Sequence, residues 1–466
     1  MLQLYLLLVD FVGVVLAYQV SQFLRLYVLP RFISFPDNYV WAVLNPAWLV
    51  LIYFATFWYE GLYTKRYPRW EEIRQMWKAA FLASLVLFSL VSLGKLSGQI
   101  SRTVLLLTAA NTLWIMPLLR GFAKTKYYKL GAPRKKALII GAGRTGELIA
   151  RSLIKDPAMG YQIAGFLDDK PSLAGKKVAG VPVLGPLAKL DDYFEDGMEV
   201  IVAIPGLQGQ QLTTLVNRLQ KKVGRLSFIP DLFGIPFFEG EMDFFFDNQV
   251  LLLTIKNNLR DPFNRFVKRT FDITVSAILL AALSPVMIMI ALIIRCTSEG
   301  NIIYPHKRMG IGGKKFRCLK FRTMYADADK RLKKLLAEDP AVRKEWESSY
   351  KLKDDPRILP IGDFMRKTSL DELPQLFNVL RGDMSLVGPR PVVYQELKTY
   401  YGSFSEYYNE VLPGITGLWQ ISGRSNVNYS RRVSLDVWYV SNWSVWLDLI
   451  ILLKTPFAVL EKDGAY

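Results

Sequence analysis

Histidine occurs once in this 466-residue chain, at His306, and cysteine twice, at Cys296 and Cys318. A single imidazole excludes metal centres built on several histidines, and Ser-His-Asp triads with them. The two cysteines lack the paired spacing of a zinc site, and so few thiols fit a reducing compartment or indifference to redox. Acidic residues are also scarce: 41 Asp and Glu against 59 Lys and Arg leave a net charge of +18. Such an excess raises nucleic acid as a partner, but no nucleic-acid motif is recognisable and much of the charge flanks apolar runs. Hydrophobic residues make up 51% of the chain. The combination points to a membrane with an anionic leaflet, or to phosphorylated substrates, and away from nucleic acid. The length suits two or three domains.

Four apolar runs come first, Leu4–Leu29, Tyr39–Tyr59, Ala79–Leu96 and Val104–Leu119. Each is near the roughly 20 residues that cross a bilayer as helix, which predicts a four-helix transmembrane bundle over residues 1–130. No small-residue cleavage site follows the first run, so it does not read as a signal peptide. Lys65, Arg66, Arg69, Arg74 and Lys78 lie between the second and third runs, and Arg120, Lys124, Lys126, Lys129, Arg134, Lys135 and Lys136 after the fourth. The positive-inside rule then puts both ends of the bundle in the cytoplasm. Arg25 reads as a snorkelling cation, whereas Asp10 is left without a role, since charge in lipid is costly.

Residues 131–258 read as a Rossmann-like α/β domain. Ala137–Ile140 is a buried strand, Gly141-Ala-Gly143-Arg-Thr-Gly146 opens a helix, and Ile163–Leu167 is a second strand running into Asp168-Asp169. Glycines here permit a tight turn, and the helix N-terminus can receive a pyrophosphate, so Gly141, Gly143 and Gly146 form a candidate nucleotide site. Asp168 follows at a looser spacing than the usual ribose partner. Neither Tyr161 nor Tyr193 has a lysine four residues on. The proton-moving pair of short-chain nucleotide-sugar enzymes is thus missing.

Residues 259–466 form the third part. Its apolar run Phe271–Ile294 is flanked on both sides by cations, Arg260, Arg265, Lys268 and Arg269 before it, and Arg295, Lys307 and Arg308 after. A spanning helix would show asymmetry. Ser284-Pro285 sits near its middle, where proline removes a donor and crowds the preceding turn. The expectation is a re-entrant helix over 266–296 that enters and leaves on the cytoplasmic face. Beyond it come a short strand, Phe316–Arg322, a helix to Ala337 with a second piece to Tyr350, and a turn at Asp354-Asp355-Pro356-Arg357. Trp438, Tyr439, Trp443 and Trp446 precede Leu447–Leu453 and read as an interfacial aromatic belt.

The most informative stretch is Lys367–Pro391, KTSLDELPQLFNVLRGDMSLVGPRP. Asp371 and Glu372 stand before Leu373-Pro374, at an expected helix start whose dipole would keep both ionised. Ser369-x-x-Glu372 also has the form of a capping box, in which Glu372 would only satisfy backbone N–H groups. Arg366 and Lys367 lie upstream, and Arg381 and Pro389-Arg390-Pro391 downstream. An anionic pair among cations suits a divalent metal and phosphate oxygens.

This string resembles the signature of the bacterial polyprenyl-phosphate sugar-phosphate transferases, the monotopic phosphoglycosyl transferases. The likeness continues through Lys320-Phe-Arg322-Thr-Met324, Pro413-Gly-Ile-Thr-Gly-Leu-Trp419-Gln420 and Leu435-Asp436-x-x-Tyr439-Val440-x-x-Trp443-Ser444, covering about 265–466. The large members share this layout: four membrane helices, a Rossmann-like domain, then a mainly α catalytic module with a re-entrant helix. Tyr304-x-His306-x-Arg308, Trp438-Tyr439-Val440 and Lys462-Asp-Gly-Ala-Tyr466 are nearest to members that transfer galactose; glucose-transferring relatives share most of the motifs.

The resemblance implies substrates, a UDP-sugar and undecaprenyl phosphate, with Asp371 as nucleophile and Glu372 as Mg²⁺ ligand beside it. It implies Arg366 and Arg390 as phosphate clamps, with Lys320, Arg322 and Asp436 as further substrate-binding candidates. The setting would be the bacterial inner membrane, with the catalytic module on its cytoplasmic face and a homodimer left open. Two other classes stay in view: an NAD-dependent membrane-bound nucleotide-sugar modifying enzyme using Gly141–Gly146, and a non-catalytic scaffold of polysaccharide export.

Overall fold

The computed structural model describes residues 2–35, 47–93, 101–195, 197–207, 209–220, 223, 226–229, 241–245, 250–254, 258–338, 343, 352, 355–423 and 428–460. Backbone contacts divide the chain into two compact units, Met1–Phe233 and Gly234–Tyr466.

The first unit opens with helices α1 (Leu2–Phe23), α2 (Ala47–Tyr59), α3 (Arg69–Leu93) and α4 (Arg102–Lys129). Together with a long helix in the second unit, the first, third and fourth are long and apolar enough to cross a membrane. Residues 39–46 and 94–96, the start of the second predicted run and the end of the third, lie outside the described residues. Leu8, Phe11, Phe81, Leu85, Leu106 and Leu118 are exposed while Val14, Tyr53, Ala83 and Leu87 are buried against one another. Apolar residues on both faces suit helices surrounded by lipid.

Asp10 receives a partner. Arg120 reaches it at 3.1 Å and also meets Glu72 at 3.0 Å, while Lys124 meets Glu72 at 2.8 Å. Two cations and two anions from α1, α3 and α4 balance inside the bundle, the arrangement that makes buried charge tolerable. Arg25 does not snorkel. It is 3% exposed, with its guanidinium 3.4 Å from the Phe35 ring centroid.

Strands β1 (Lys135–Ile140), β2 (Tyr161–Leu167), β3 (Lys177–Val178), β4 (Val181–Gly185), β5 (Glu199–Val202) and β6 (Leu226–Phe228) form a sheet in the order β3-β4-β2-β1-β5-β6. All neighbours are parallel except β3 against β4. Helices α5 (Arg144–Lys155) and α7 (Gly209–Gln220), with the short α6 (Leu190–Tyr193) between them, belong to this sheet domain. Gly141 has φ +99°, and a Cβ on Gly146 would fall on the Gly141 carbonyl, so the fold itself requires both glycines. The sheet domain is tied to the bundle through Arg66, which donates to Tyr128 Oη and to the Met159 and Gly160 carbonyls at 2.8–3.0 Å.

In the second unit, β7 (Glu241–Phe245) and β8 (Val250–Thr254) form a separate hairpin. Helix α8 then runs from Pro262 to Thr297 with Asp261 as its cap and Pro285 inside. At 1.5 Å per residue its 36 residues trace about 54 Å. Antiparallel strands β9 (Ile303–Met309) and β10 (Lys315–Phe321) follow, then helices α9 (Ala328–Glu338), α10 (Gly362–Thr368) and α11 (Gln375–Arg381). Of the predicted second piece to Tyr350, and of Asp354, nearly all lies outside the described residues. Parallel strands β11 (Ser385–Val387) and β12 (Gly414–Thr416) precede α12 (Tyr429–Ser441) and α13 (Val445–Leu460).

The aromatic belt is corrected here. Tyr439, Trp443 and Trp446 are buried, and of that group only Trp438 is exposed. Asp448 supplies the reason, since its carboxylate accepts from Tyr439 Oη at 2.8 Å and from Trp443 Nε1 at 3.1 Å. Polar tips that find a partner inside the core need no interface to satisfy them. The tail Lys462–Tyr466 lies outside the described residues.

Candidate active site

The dyad occupies a tight reversal between α10 and α11. Ser369 ends α10 in the left-handed region at φ 57°, unusual for a residue with a side chain. A single 3₁₀ turn, Leu370–Glu372, follows, and α11 starts only at Gln375 after Pro374. The capping box does not form: Ser369 makes no side-chain cap bond, and Glu372 turns to Lys320 instead.

Asn378, buried in α11, fixes the facing strand. It accepts from the Leu319 N–H at 2.9 Å and donates to the Arg317 carbonyl at 2.8 Å, holding β10 so that Lys320 projects onto the dyad. Lys320 Nζ lies 2.7 Å from Glu372 Oε1 and 3.7 Å from Asp371 Oδ2. Arg390 approaches the same Glu372 oxygen at 3.8 Å. Its backbone is set by glycines, since a Cβ on Gly388, Gly414 or Gly417 would strike the adjoining main chain. Lys320, Glu372 and Arg390, with Arg308, Cys318, Gln375 and Gln420, line a small cleft.

The two carboxylates are electrostatically unequal. Burial raises the Asp371 pKa above that of an ordinary aspartate; Lys320 pulls the other way and Glu372 adds to the rise. Burial also works against the Glu372 carboxylate, but Lys320 and Arg390 outweigh it and hold its pKa below the ordinary value. The uniform ionisation expected from a helix dipole is therefore replaced by a split pair, because the helix begins a turn later and burial dominates at Asp371. Among the described residues the Asp371 side chain takes no hydrogen bond; its nearest cation is Lys320. It is a buried carboxylate with an ion pair and no hydrogen bond, beside one that Lys320 hydrogen-bonds directly.

Arg366 donates from Nε to Thr323 Oγ1 at 3.0 Å and lies close enough to Asp371 to favour its anion. Two sequence candidates are placed elsewhere. Arg322 spends Nη1 and Nη2 on the Glu299 and Ser298 carbonyls at 2.7 and 2.8 Å, closing the end of α8. Asp436 is buried against Tyr401 Oη at 2.6 Å, and burial pushes it up to about 7. Asp355 is likewise committed, to Arg357. Sequence alone assigns no role to Arg308, Gln375, Asn378 or Gln420, whose one signal is their place inside or beside the Lys367–Pro391, Tyr304–Arg308 and Pro413–Gln420 motifs.

Dyad oxygens suit Mg²⁺, which binds through one or two carboxylates plus phosphate oxygens. Among the described residues no group of three or more Asp, Glu, His or Cys could hold a metal, so other ligands would come from substrate and water. In the sheet domain, Asp168 Oδ2 accepts from the Ala142 N–H at 2.7 Å, placing an anion on the glycine turn itself. A Cβ on Gly143 would meet open space, so that glycine is not demanded by packing.

Residues 263–462 match the family model described as bacterial sugar transferase, and residues 41–230 one described as a CoA-binding domain. The chain is 39% identical to the UDP-galactose-lipid carrier transferase of Erwinia amylovora, covering 87% of this chain and 84% of that one. It is 41% identical to the undecaprenyl-phosphate galactose phosphotransferase of Salmonella typhimurium, over 87% of this chain and 84% of the relative. The exopolysaccharide production protein ExoY of Sinorhizobium fredii is 47% identical over 44% of this chain and 90% of its own length. With this likeness over 87% of the chain and an Asp371–Glu372 dyad set among cations where the match falls, the chain belongs to the bacterial sugar transferases.

Proposed function

We propose that the protein transfers galactose 1-phosphate from UDP-galactose to undecaprenyl phosphate, releasing UMP, through a covalent phosphosugar intermediate on Asp371. The observation that carries this reading is the inequality of the dyad: a buried Asp371 free of hydrogen bonds beside a Glu372 held anionic by Lys320 and Arg390. Asp371 attacks the sugar-bearing phosphorus, the bond to UMP breaks, and UMP leaves with the electron pair. An oxygen of the lipid phosphate then attacks the same phosphorus and the acyl–phosphate bond breaks, returning the carboxylate. Phosphoryl transfer asks the protein mainly for positioning and charge neutralisation, which Lys320, Arg390 and Arg308 supply. Bound at the dyad, Mg²⁺ would add charge neutralisation at the phosphoryl oxygens.

The test is incubation of purified protein with labelled UDP-galactose, Mg²⁺ and undecaprenyl phosphate. Label is expected in the lipid fraction with UMP in equal amount; altered sugar without lipid product would instead favour a nucleotide-sugar modifying enzyme. The same assay reads pH dependence. The nucleophile must be anionic, and its pKa is raised, so kcat/KM should fall on acidification at a pH above the ordinary aspartate range. Lys320→Met removes the group that favours the anion and should move that limb further up. An unmoved limb would dissociate it from Asp371.

We also read α8 as a re-entrant element that leaves the catalytic module on the cytoplasmic face of the inner membrane. Both of its arms pack on that module. Phe271, Val275 and Leu279 lie with Tyr439, Val440 and Trp443, while Met287, Ile290 and Ile294 lie with Phe321, Leu359 and Met365. Between the arms Ser284 and Pro285 are exposed, and Ser284 Oγ donates to the Ala281 carbonyl. A straight helix of about 54 Å crossing the bilayer would carry one arm away from the module. In a Cys296→Ser background, Glu299→Cys should resist a membrane-impermeant maleimide in intact cells and react once they are opened. Labelling from outside would refute the hairpin.

A further inference from the structure

Beside the cleft lies a group of buried polar atoms that neither the fold nor the phosphoryl chemistry uses. Trp419 Nε1, Gln420 Oε1, and Arg432 Nε and Nη2 are shielded from solvent with no hydrogen-bond partner among the described residues. Buried polar atoms are nearly always paired, so a cluster of orphans asks for a ligand. Their placement is organised. Trp419 is 9% exposed, and its ring carries the Arg432 guanidinium at 4.5 Å and that of Arg390 at 5.9 Å. The second face available to Arg432 is Tyr429, at 4.7 Å. Gln420 is fixed by donating from Nε2 to the Ile415 carbonyl at 3.0 Å, which leaves its carbonyl oxygen as the unspent end, and it also lines the cleft with Glu372 and Arg390.

We infer that Trp419, Gln420 and Arg432 form the subsite that reads the pyrimidine base of the nucleotide donor, selecting uracil over cytosine. The inference rests on the proposed use of a UDP-sugar. The subsite offers N–H donors and one carbonyl acceptor. A diphosphate would accept from the donors but would be repelled by the Gln420 oxygen. A uracil edge carries two carbonyls flanking an N–H, which answers both kinds of group. Cytosine presents a bare ring nitrogen where uracil carries that N–H, and so would face Gln420 Oε1 with two lone pairs opposed. Sites that hydrogen-bond a substrate group discriminate strongly against analogues lacking it, because their own polar atoms are then left unpaired. Joined to Arg390 through the Trp419 ring, the subsite would hold the base while the diphosphate reaches the dyad.

The test uses the full chain in nanodiscs, with UMP and CMP as probes. Equilibrium titration of the wild type should show UMP bound at least about tenfold more tightly than CMP. Gln420→Leu should shrink that ratio to about two- or threefold, and Trp419→Phe, which keeps a ring under both arginines, should weaken UMP severalfold. In both variants KM for UDP-galactose should rise while KM for undecaprenyl phosphate stays unchanged. Arg432→Lys guards against misfolding of the first two, since it keeps the charge and loses the planar donors. Wild-type turnover with variants that keep the full UMP preference would overturn the subsite alone, as would orphans satisfied only by water. No lipid-linked product from the wild type would overturn the donor reading beneath it.

Discussion

Asp371→Asn is expected to abolish both turnover and the covalent adduct, a loss of about 10⁴-fold or more, the scale seen when a nucleophile is removed. An amide cannot attack phosphorus, and it removes one of the two carboxylates on which Lys320 converges. The alternative role for Asp371, a general base, fits the site poorly. A lipid phosphate is already anionic near neutral pH, so a base would add little to its attack. The two mechanisms separate without the lipid. Mixing enzyme with UDP-galactose and Mg²⁺ alone should release UMP stoichiometric with enzyme and leave an added sugar phosphate, seen by intact-protein mass spectrometry. Glu372→Gln should lower the adduct yield and turnover together, partly restored by raised Mg²⁺, because Glu372, kept anionic by Lys320 and Arg390 at Oε1, would hold the metal through its other oxygen. Product formed only when both substrates are present, with no adduct at any time, would sink the covalent route and leave the transfer reaction standing.

Much of this was legible in the sequence because it is local. Apolar runs announce the membrane helices, Gly141–Gly146 announces a strand-to-helix turn, and Asp371-Glu372 with Pro389-Arg390-Pro391 announces the cleft. What escaped depends on long-range pairing. Asp10 looked like an unexplained charge in lipid until Arg120, 110 residues away, met it. Lys320 could be suspected as a ligand, but its grip on the dyad is set by Asn378, 59 residues from the Leu319 amide it accepts from. Arg322, two residues on, looked equivalent by motif. It belongs instead to the end of α8: alternation would put it on the same face as Lys320, but β10 stops at Phe321, and beyond the strand Arg322 turns to the Ser298 and Glu299 carbonyls. Tyr439 and Trp443 carry polar tips that suit an interface or a satisfied core equally well, and only the position of Asp448 decides between them.

That carboxylate is also the basis of the second large effect. Lys268, at the start of α8, lies 2.7 Å from Asp448 in α13, and both are buried. Lys268 Nζ donates to the Val387 carbonyl at 3.2 Å, and Tyr439 Oη, sharing its one proton between Asp448 and that carbonyl, lies 3.0 Å from it, immediately before Gly388 and the Pro-Arg-Pro turn. Asp272, also buried, lies 3.9 Å from the same ammonium, so removing Lys268 leaves two buried carboxylates uncompensated, whereas removing Asp448 leaves Lys268 with Asp272 alone. Lys268→Met should therefore cost about 3–5 kcal/mol, and Asp448→Leu less, since Asp272 still faces the ammonium. The double variant should cost less than the sum of the two, because those two charges leave together, but it should stay below wild type, since Asp272 remains buried without its cation. Denaturation midpoints of the four proteins in nanodiscs give the cycle. Additive losses, or single variants within about 0.5 kcal/mol of wild type, would show that the pair carries no coupled buried charge. Turnover separates folding from alignment. If the double variant recovers stability but not kcat, Lys268 is needed to orient the Val387–Arg390 segment as well as to hold the arm of α8; if both recover, its work is confined to the fold.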